Sequence, residues 1–297
     1  LSEQQLILGR HARFLRGNTH THTTRSDGQL SPEHTSRWYD ENNYDFLVLT
    51  DHNIAPWDRR ITTVEDDPRL ILLGGAEFHP GFTRHGDRWH IIAACVPAGF
   101  DARPFDEDPR GLIDALRVVG AWICIAHPHA QGLDADDVRT LGMVDAVEIY
   151  NERSLWWDEK PDGWYLVDDL ASKGTLVGAI AADDAHFDGR PDHGRAWVMV
   201  DAKNSAPAIL TALHSRDYYA TQGPNFTRIS RNPTHLFVEC DPVHVITLGG
   251  LGQKAQTYVG EDITTADFDL SAHIGSYVRI TIRDHNGSRA WSNLIHV

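Results

Sequence analysis

An α/β fold is predicted for the first 222 residues of this 297-residue chain, followed by a small all-β unit. Short runs rich in Val, Ile and Leu alternate with helix-like segments up to about residue 222. These runs are apolar on both faces, as parallel strands covered by helices are. After Gly223-Pro224 the pattern changes to period-two alternation without a helical repeat. The chain thus divides into residues 1–222, read as a barrel-like α/β domain, and residues 223–297, an antiparallel, sandwich-like β unit packed on it.

The strand candidates are 14–23, 46–50, 70–76, 90–96, 122–126, 146–150 and 176–182, with 196–200 as an eighth run that extends the sheet. A helix starts at Ser31-Pro32, where Ser offers an N-cap and Pro suits the first helical turn. Further helices are expected over 109–119, 135–141, 164–172 and 206–214. In the tail, 235–240, 244–248, 258–269 and 277–284 alternate, and Asn286-Gly287 marks a turn before 289–297. No internal repeat or low-complexity segment is present.

Hydrophobic content of 41% and charged content of 23% place the chain among ordinary globular proteins. No apolar stretch is long enough to span a membrane. The opening Leu1-Ser2-Glu3-Gln4-Gln5 lacks signal-peptide character, so a cytoplasmic protein is expected. Because the first residue is Leu rather than Met, processed export stays open. Cys95, Cys124 and Cys240 lie far apart in apolar segments and read as buried free thiols. The net charge of −15 falls almost wholly before residue 224. It opposes a protein that tracks a nucleic-acid backbone, which needs clustered Lys and Arg. Phosphate substrates stay open, because bound metals reverse the local field. The expected partner is a small, anionic molecule, with neither nucleic acid nor membrane; the oligomeric state is open.

Nine residues of metal-ligand type gather at the edges of the strand candidates: His20, His22, Asp27, His52, Glu77, His90, His127, Asp184 and His186. His20 and His22 are two apart on a strand and so share a face. Asp27 lies in Ser26-Asp27-Gly28, a turn that returns a carboxylate over the strand end, although Asp-Gly is also simply a common turn. His52 and Glu77 follow apolar runs, and His127 precedes Pro128, which biases it away from helical geometry. Asp184 and His186 form a second period-two pair. His90 differs in opening its strand and reads equally as a structural core histidine. Ligands at successive strand ends converge on one mouth of a barrel, where such folds place their chemistry. Together the nine could hold three divalent ions.

These segments resemble the polymerase and histidinol phosphatase (PHP) superfamily. The resemblance rests on Gly17-Asn18-Thr19-His20-Thr21-His22-Thr23-Thr24-Arg25-Ser26-Asp27-Gly28, Leu49-Thr50-Asp51-His52-Asn53, Gly75-Ala76-Glu77, Ile125-Ala126-His127-Pro128 and Asp184-Ala185-His186, over roughly residues 14–200. It implies a distorted seven-stranded (β/α)7 barrel with a trinuclear centre of Zn, Mn or Fe. One ion would have His20, His22, Glu77 and Asp184. A second would share Glu77 and add His90 and His127, and a third would have Asp27, His52 and His186. Asp27 stands where some members have His, which mixes oxygen into that set. Tyr218-Tyr219-Ala220-Thr221-Gln222-Gly223-Pro224 and Arg289-Ala290-Trp291-Ser292-Asn293 are similar to the CehA/McbA-type branch, whose activities include ester and carbamate hydrolysis.

The implied nucleophile is a metal-bridged hydroxide, so no side-chain nucleophile is needed. His129 is the candidate general acid, or else a solvent-facing loop residue. Arg25, Arg190 and Arg195 lie near ligands in sequence and are candidate substrate clamps, or surface residues. His79 and His85, in the polar loop after Glu77, either line the mouth or have no role. Trp156, Trp157 and Trp164 offer an aromatic wall or packing. Glu148 and Asn151 are read as partners that orient a ligand histidine. The expected activity is hydrolysis of a small phosphate ester, with carbamate or carboxylic ester hydrolysis and a non-catalytic metal-binding scaffold as alternatives.

Overall fold

A computed structural model describes residues 4–64 and 69–297; the first three residues of the opening segment lie outside it. The chain begins with β1 (Gln5–Leu8), β2 (Leu15–Asn18), α1 (Pro32–Glu41), β3 (Phe46–Leu49), β4 (His52–Asn53), β5 (Ile71–Phe78) and β6 (Ile91–Ala94). It continues through α2 (Pro109–Val118), β7 (Trp122–Ile125), α3 (Ala135–Leu141), β8 (Ala146–Asn151), α4 (Glu152–Trp157), α5 (Trp164–Ser172) and β9 (Gly178–Ala182). Then come β10 (Trp197–Val200), α6 (Ala206–Ser215), β11 (Tyr218–Thr221), β12 (Phe226–Arg231), β13 (His235–Gly250), β14 (Ala255–Asp269), β15 (Tyr277–Arg283), β16 (Arg289–Ser292) and β17 (Ile295–His296).

Local chemistry sets the helix starts. Ser31 caps α1 by accepting from the His34 amide, with Pro32 in the first turn. Asp134 and Asp137 close a reciprocal capping box on α3. The Asp108 side chain accepts from the Gly111 amide at the start of α2.

The result is a mixed α/β protein with a large sheet. β2, β3 and β5 are parallel neighbours, as are β7, β8 and β9. A parallel bridge between Thr21 and Ala185 links the segments that follow β2 and β9. Two backbone hydrogen bonds support it, His22 to Ala185 at 2.9 Å and Asp184 to His20 at 3.0 Å. The expected regular βα repeat is broken at β6, which runs antiparallel to both β5 and β7. No helix separates β5 from β6, because antiparallel neighbours need only a loop. Periodicity records which face a residue takes and carries no information on strand direction.

Period-two packing fills both faces. Ile92, Ala94, Trp122 and Cys124 face one core with Phe46, Ile180, Val198 and Leu213. Ile91, Ala93, Ile123 and Ile125 face another, beneath α2, α3 and α5. With both faces of the strands filled by apolar side chains, the polar residues collect at the strand ends. β10 runs antiparallel to β2 and β11, and β11 to β16, so the sheet continues into the tail.

The tail has one long strand where two were expected. β13 bends through irregularities between Glu239 and Val245, pairing with β12 before the bend and β15 beyond it. Its core gathers Phe226, Val238, Ile246, Phe268 and Ile280. Among the described residues no helix is long and apolar enough to cross a membrane. The three cysteines are free, with Cys124 and Cys240 buried.

Candidate metal centre

All nine sequence-selected residues converge beside the strand ends. His20 and His22 follow β2 on one face, their Nε2 atoms 3.1 Å apart. The buried Oε1 of Glu148 lies 2.7 Å from Nδ1 of His20. With the Nδ1 proton donated there, Nε2 turns its lone pair toward Glu77 and Asp184. Glu148 Oε2 accepts from the His127 amide and from Nδ2 of Asn151, which also donates to Asp184. Glu148 and Asn151 thus stand beside the histidines as expected.

Asp27 is carried by a tight turn. The amides of Ser26 and Gly28 both reach the Thr23 carbonyl, and Asp51 accepts from the Thr23 amide and the hydroxyls of Thr23, Ser26 and Thr62. A Cβ at residue 28 would lie 2.6 Å from the carbonyl carbon of His22, so the turn requires glycine there. The turn brings Asp27 Oδ1 to 3.4 Å from His52 Nε2 and 3.2 Å from His186 Nε2. His22 Nδ1 also comes within 3.7 Å of it.

Glu77 sits at the centre. It lies inside β5, one residue beyond the expected strand end, in register with His52 on β4. Its Oε1 is 2.7 Å from His90 Nδ1 and 3.3 Å from His127 Nε2. Its Oε2 faces His52, His22 and His20 at 2.7, 3.6 and 3.8 Å. Asp184 Oδ1 lies 3.2 Å from His20 Nε2 and 3.1 Å from His22 Nε2. His127 and Asp184 both have positive φ, 22° and 53°, a conformation that bulky residues hold only where the surroundings enforce it.

Burial and charge act against each other here. Burial pushes the Glu77 carboxyl upward, but His90, His52 and His79 outweigh it and hold the group well below the usual range. Buried Asp184 and the more exposed Asp27 are also depressed, by His20 and His22 in one case and by His186 and His52 in the other. Burial opposes charging of His52, but Glu77 and Asp27 raise it to about 10. His22, buried and facing His186 and His52, is lowered to about 4. Even so, Glu77 Oε2 and Asp184 Oδ1 are buried and accept no hydrogen bond among the described residues. Donor atoms fall into compact sets: His22, Asp27, His52 and His186; His20, His22 and Asp184; His20, Glu77 and His127. These mixed nitrogen and oxygen sets suit divalent ions such as Zn, Mn or Fe.

A cavity of about 440 Å³ opens over the site, lined by Asp27, His52, Glu77, His90, His127 and His186 on its floor. Its arginines are Arg88 and Arg153, in place of those selected by sequence. Arg25 turns to Asp58, Arg190 pairs with Asp188, and Arg195 is exposed while its amide bonds Asp183; none of the three lines the cavity. His129 is also absent from the lining: it is exposed, with its ring against Tyr165. The backbone turns at His127, so that Ala130 and Gln131 face inward instead. Trp157 lines the cavity, Trp156 bonds Glu152, and Trp164 is buried beneath Arg279. His85 is exposed beside Arg84. His79, for which the sequence left open a place in the mouth or no role, joins His52 and Glu77 in a further compact set.

No protein-family model and no curated protein matches the chain. Among solved structures, similarity covers 98% of the chain and 98% of a two-domain protein containing a predicted PHP-like metal-dependent phosphoesterase from Bacteroides vulgatus, with 15% identity and a TM-score of 0.54. A lesion-specific endonuclease from Pyrococcus furiosus is similar over 68% of this chain and 56% of its own, with 13% identity and a TM-score of 0.48. An amidohydrolase from Chromobacterium violaceum is similar over 58% of this chain and 88% of its own, with 15% identity and a TM-score of 0.38. The first likeness establishes a PHP-like fold. None of the three is described as belonging to the CehA/McbA branch.

Proposed function

We propose that the chain is a metal-dependent hydrolase acting on a small phosphate ester. The observation that carries this reading is the pair of buried oxygens, Glu77 Oε2 and Asp184 Oδ1, that accept no hydrogen bond among the described residues and face imidazole nitrogens. Leaving such atoms without a proton or cation is costly, so the site is built for cations. Three ions would take His20, His22, Glu77 and Asp184; Glu77, His90 and His127; and Asp27, His52 and His186. When bound, such ions supply Lewis acidity to a substrate oxygen and lower the pKa of a bound water toward neutrality. The chain does the positioning. Glu148 and Asn151 fix His20 and Asp184, and Asp51 fixes the turn that carries Asp27. Gln131, which donates to the Arg88 carbonyl, forms part of the cavity wall.

We read β2, β3 and β5 to β9 as one distorted barrel closed by the Thr21–Ala185 bridge, with residues 1–222 as the catalytic domain and 223–297 docked on it. The likeness in fold to a protein containing a predicted PHP-like phosphoesterase supports a hydrolase, and we take phosphate esters as the first substrate class to test. One observation favours the carbamate or ester reading instead. Arg153 is already paired with Asp188 and Asp192, and Arg88 with Glu107, which leaves less positive charge for a dianion. The test offers a phosphate monoester, a phosphodiester and an aryl carbamate side by side to the metal-replete chain. Phosphate turnover that is lost in His20→Ala is expected. Turnover of the carbamate alone overturns the phosphate reading, and no turnover with ions bound leaves the scaffold.

A further inference from the structure

We propose that His79 is a positioning residue that fixes the tautomer of His52 and so prepares one ion of the centre. The inference rests on the assignment of His52 to the set with Asp27 and His186. His52 turns Nε2 toward Asp27 and His186, and Nδ1 toward the interior. Two acceptors stand near Nδ1: Glu77 Oε2 at 2.7 Å and His79 Nε2 at 2.9 Å. Distance favours Glu77, but direction decides. The Nδ1–Nε2 contact has hydrogen-bond geometry, whereas Oε2 of Glu77 accepts no hydrogen bond despite its closeness. A ring nitrogen can ligate only with a free lone pair, so an ion on Nε2 requires the proton of His52 on Nδ1. That proton is then donated to His79 Nε2.

His79 is placed to accept it. Its side chain is 5% exposed, and Nε2 lies 3.7 Å from Glu77 Oε2, a contact too long for a hydrogen bond. The ring packs edge-on to His52 and His90, with centroids 4.8 and 4.3 Å away. The backbone is clamped as well, since its carbonyl accepts from Arg88 Nη1 at 3.1 Å. Partners of this kind hold a ligand imidazole in one orientation, and their loss weakens the ion by about 10- to 100-fold.

The test titrates zinc into the metal-stripped full chain against a chromophoric chelator, for wild type, His79→Leu and His79→Gln. Gln keeps an acceptor near the position of Nε2, and Leu keeps volume without one. Wild type is expected to take up three ions. His79→Leu should lose 10- to 100-fold in affinity for one ion, with the other two unchanged, and His79→Gln should restore most of that loss. Three wild-type ions with an unchanged His79→Leu titration overturn the inference alone. A Gln variant as weak as Leu, or equal weakening of every ion, also overturns it. Wild type that binds fewer than three ions overturns the trinuclear reading and this inference together.

Discussion

Glu77 presents one oxygen to His90 and His127 and the other to His52, His22 and His20, so both oxygens are committed. Glu77→Gln keeps the shape but replaces one oxygen by an NH2 group, which offers hydrogens where an ion needs a lone pair. Elemental analysis of the variant should show more than one ion lost, with affinity falling beyond the ~100-fold that loss of an outer partner costs. Full occupancy would remove Glu77 as the shared ligand. The convergence of the candidate ligands is legible in the sequence because only a few residue types ligate and strand ends gather them on one side. The substrate side is not. Arg25, Arg190 and Arg195 were selected for closeness in sequence to ligands, but loops redirect chain within two or three residues. His129 shows this directly, since the turn at His127 sends it outward. Arg153, in the first turn of α4 just after β8, lines the cavity but has no candidate ligand beside it in sequence.

At the scale of elements, the same apolar periodicity gave the bounds of α3 and α5 and nearly those of β3 and β7. It could not give the direction of β6, nor the single long β13, whose polar break at Glu239–Asp241 reads as a strand end. β1 was missed because four residues give too short a period, and its placement depends on a distant carboxylate. Buried Asp201, just after β10, accepts from the amides of Gly9, Arg10 and His11 and lies 2.8 Å from His11 Nδ1, which ties the β1–β2 link to the sheet. Burial raises the Asp201 pKa, but the Arg10 amide, the His11 ring and the other amides bring it below the usual carboxylate value. A depressed folded pKa contributes stability above the unfolded pKa, near 4, and the contribution disappears as pH falls through the folded value. Asp201→Asn leaves two of those donors facing an NH2 group. Denaturant unfolding should show it about 1–3 kcal/mol less stable than wild type at pH 7, with the difference shrinking below pH ~4. A difference independent of pH would assign the effect to packing rather than charge.

Across the whole molecule, the candidate ligands come from seven separate places: after β2, in the following turn, on β4, on β5, before β6, after β7 and after β9. The Thr21–Ala185 bridge joins the two segments that carry His20 with His22 and Asp184 with His186. Ions held there would therefore fasten the segment after β2 to the segment after β9, and would do so only in the folded chain. Without them, buried carboxylates must be neutralised by protonated imidazoles, as the raised His20 and His52 indicate. Binding to the folded state alone adds about 4 kcal/mol when free metal exceeds Kd by 1,000-fold. For a chain of this size that corresponds to roughly 10 °C in Tm. Scanning calorimetry should show that shift between chelated protein and protein resupplied with zinc or manganese. It should narrow toward pH 5, because the imidazoles held protonated, His20 and His52 among them, must release a proton before they ligate. A melting temperature indifferent to both chelator and pH would mean that the fold closes without ions, and the buried carboxylates would then need another explanation.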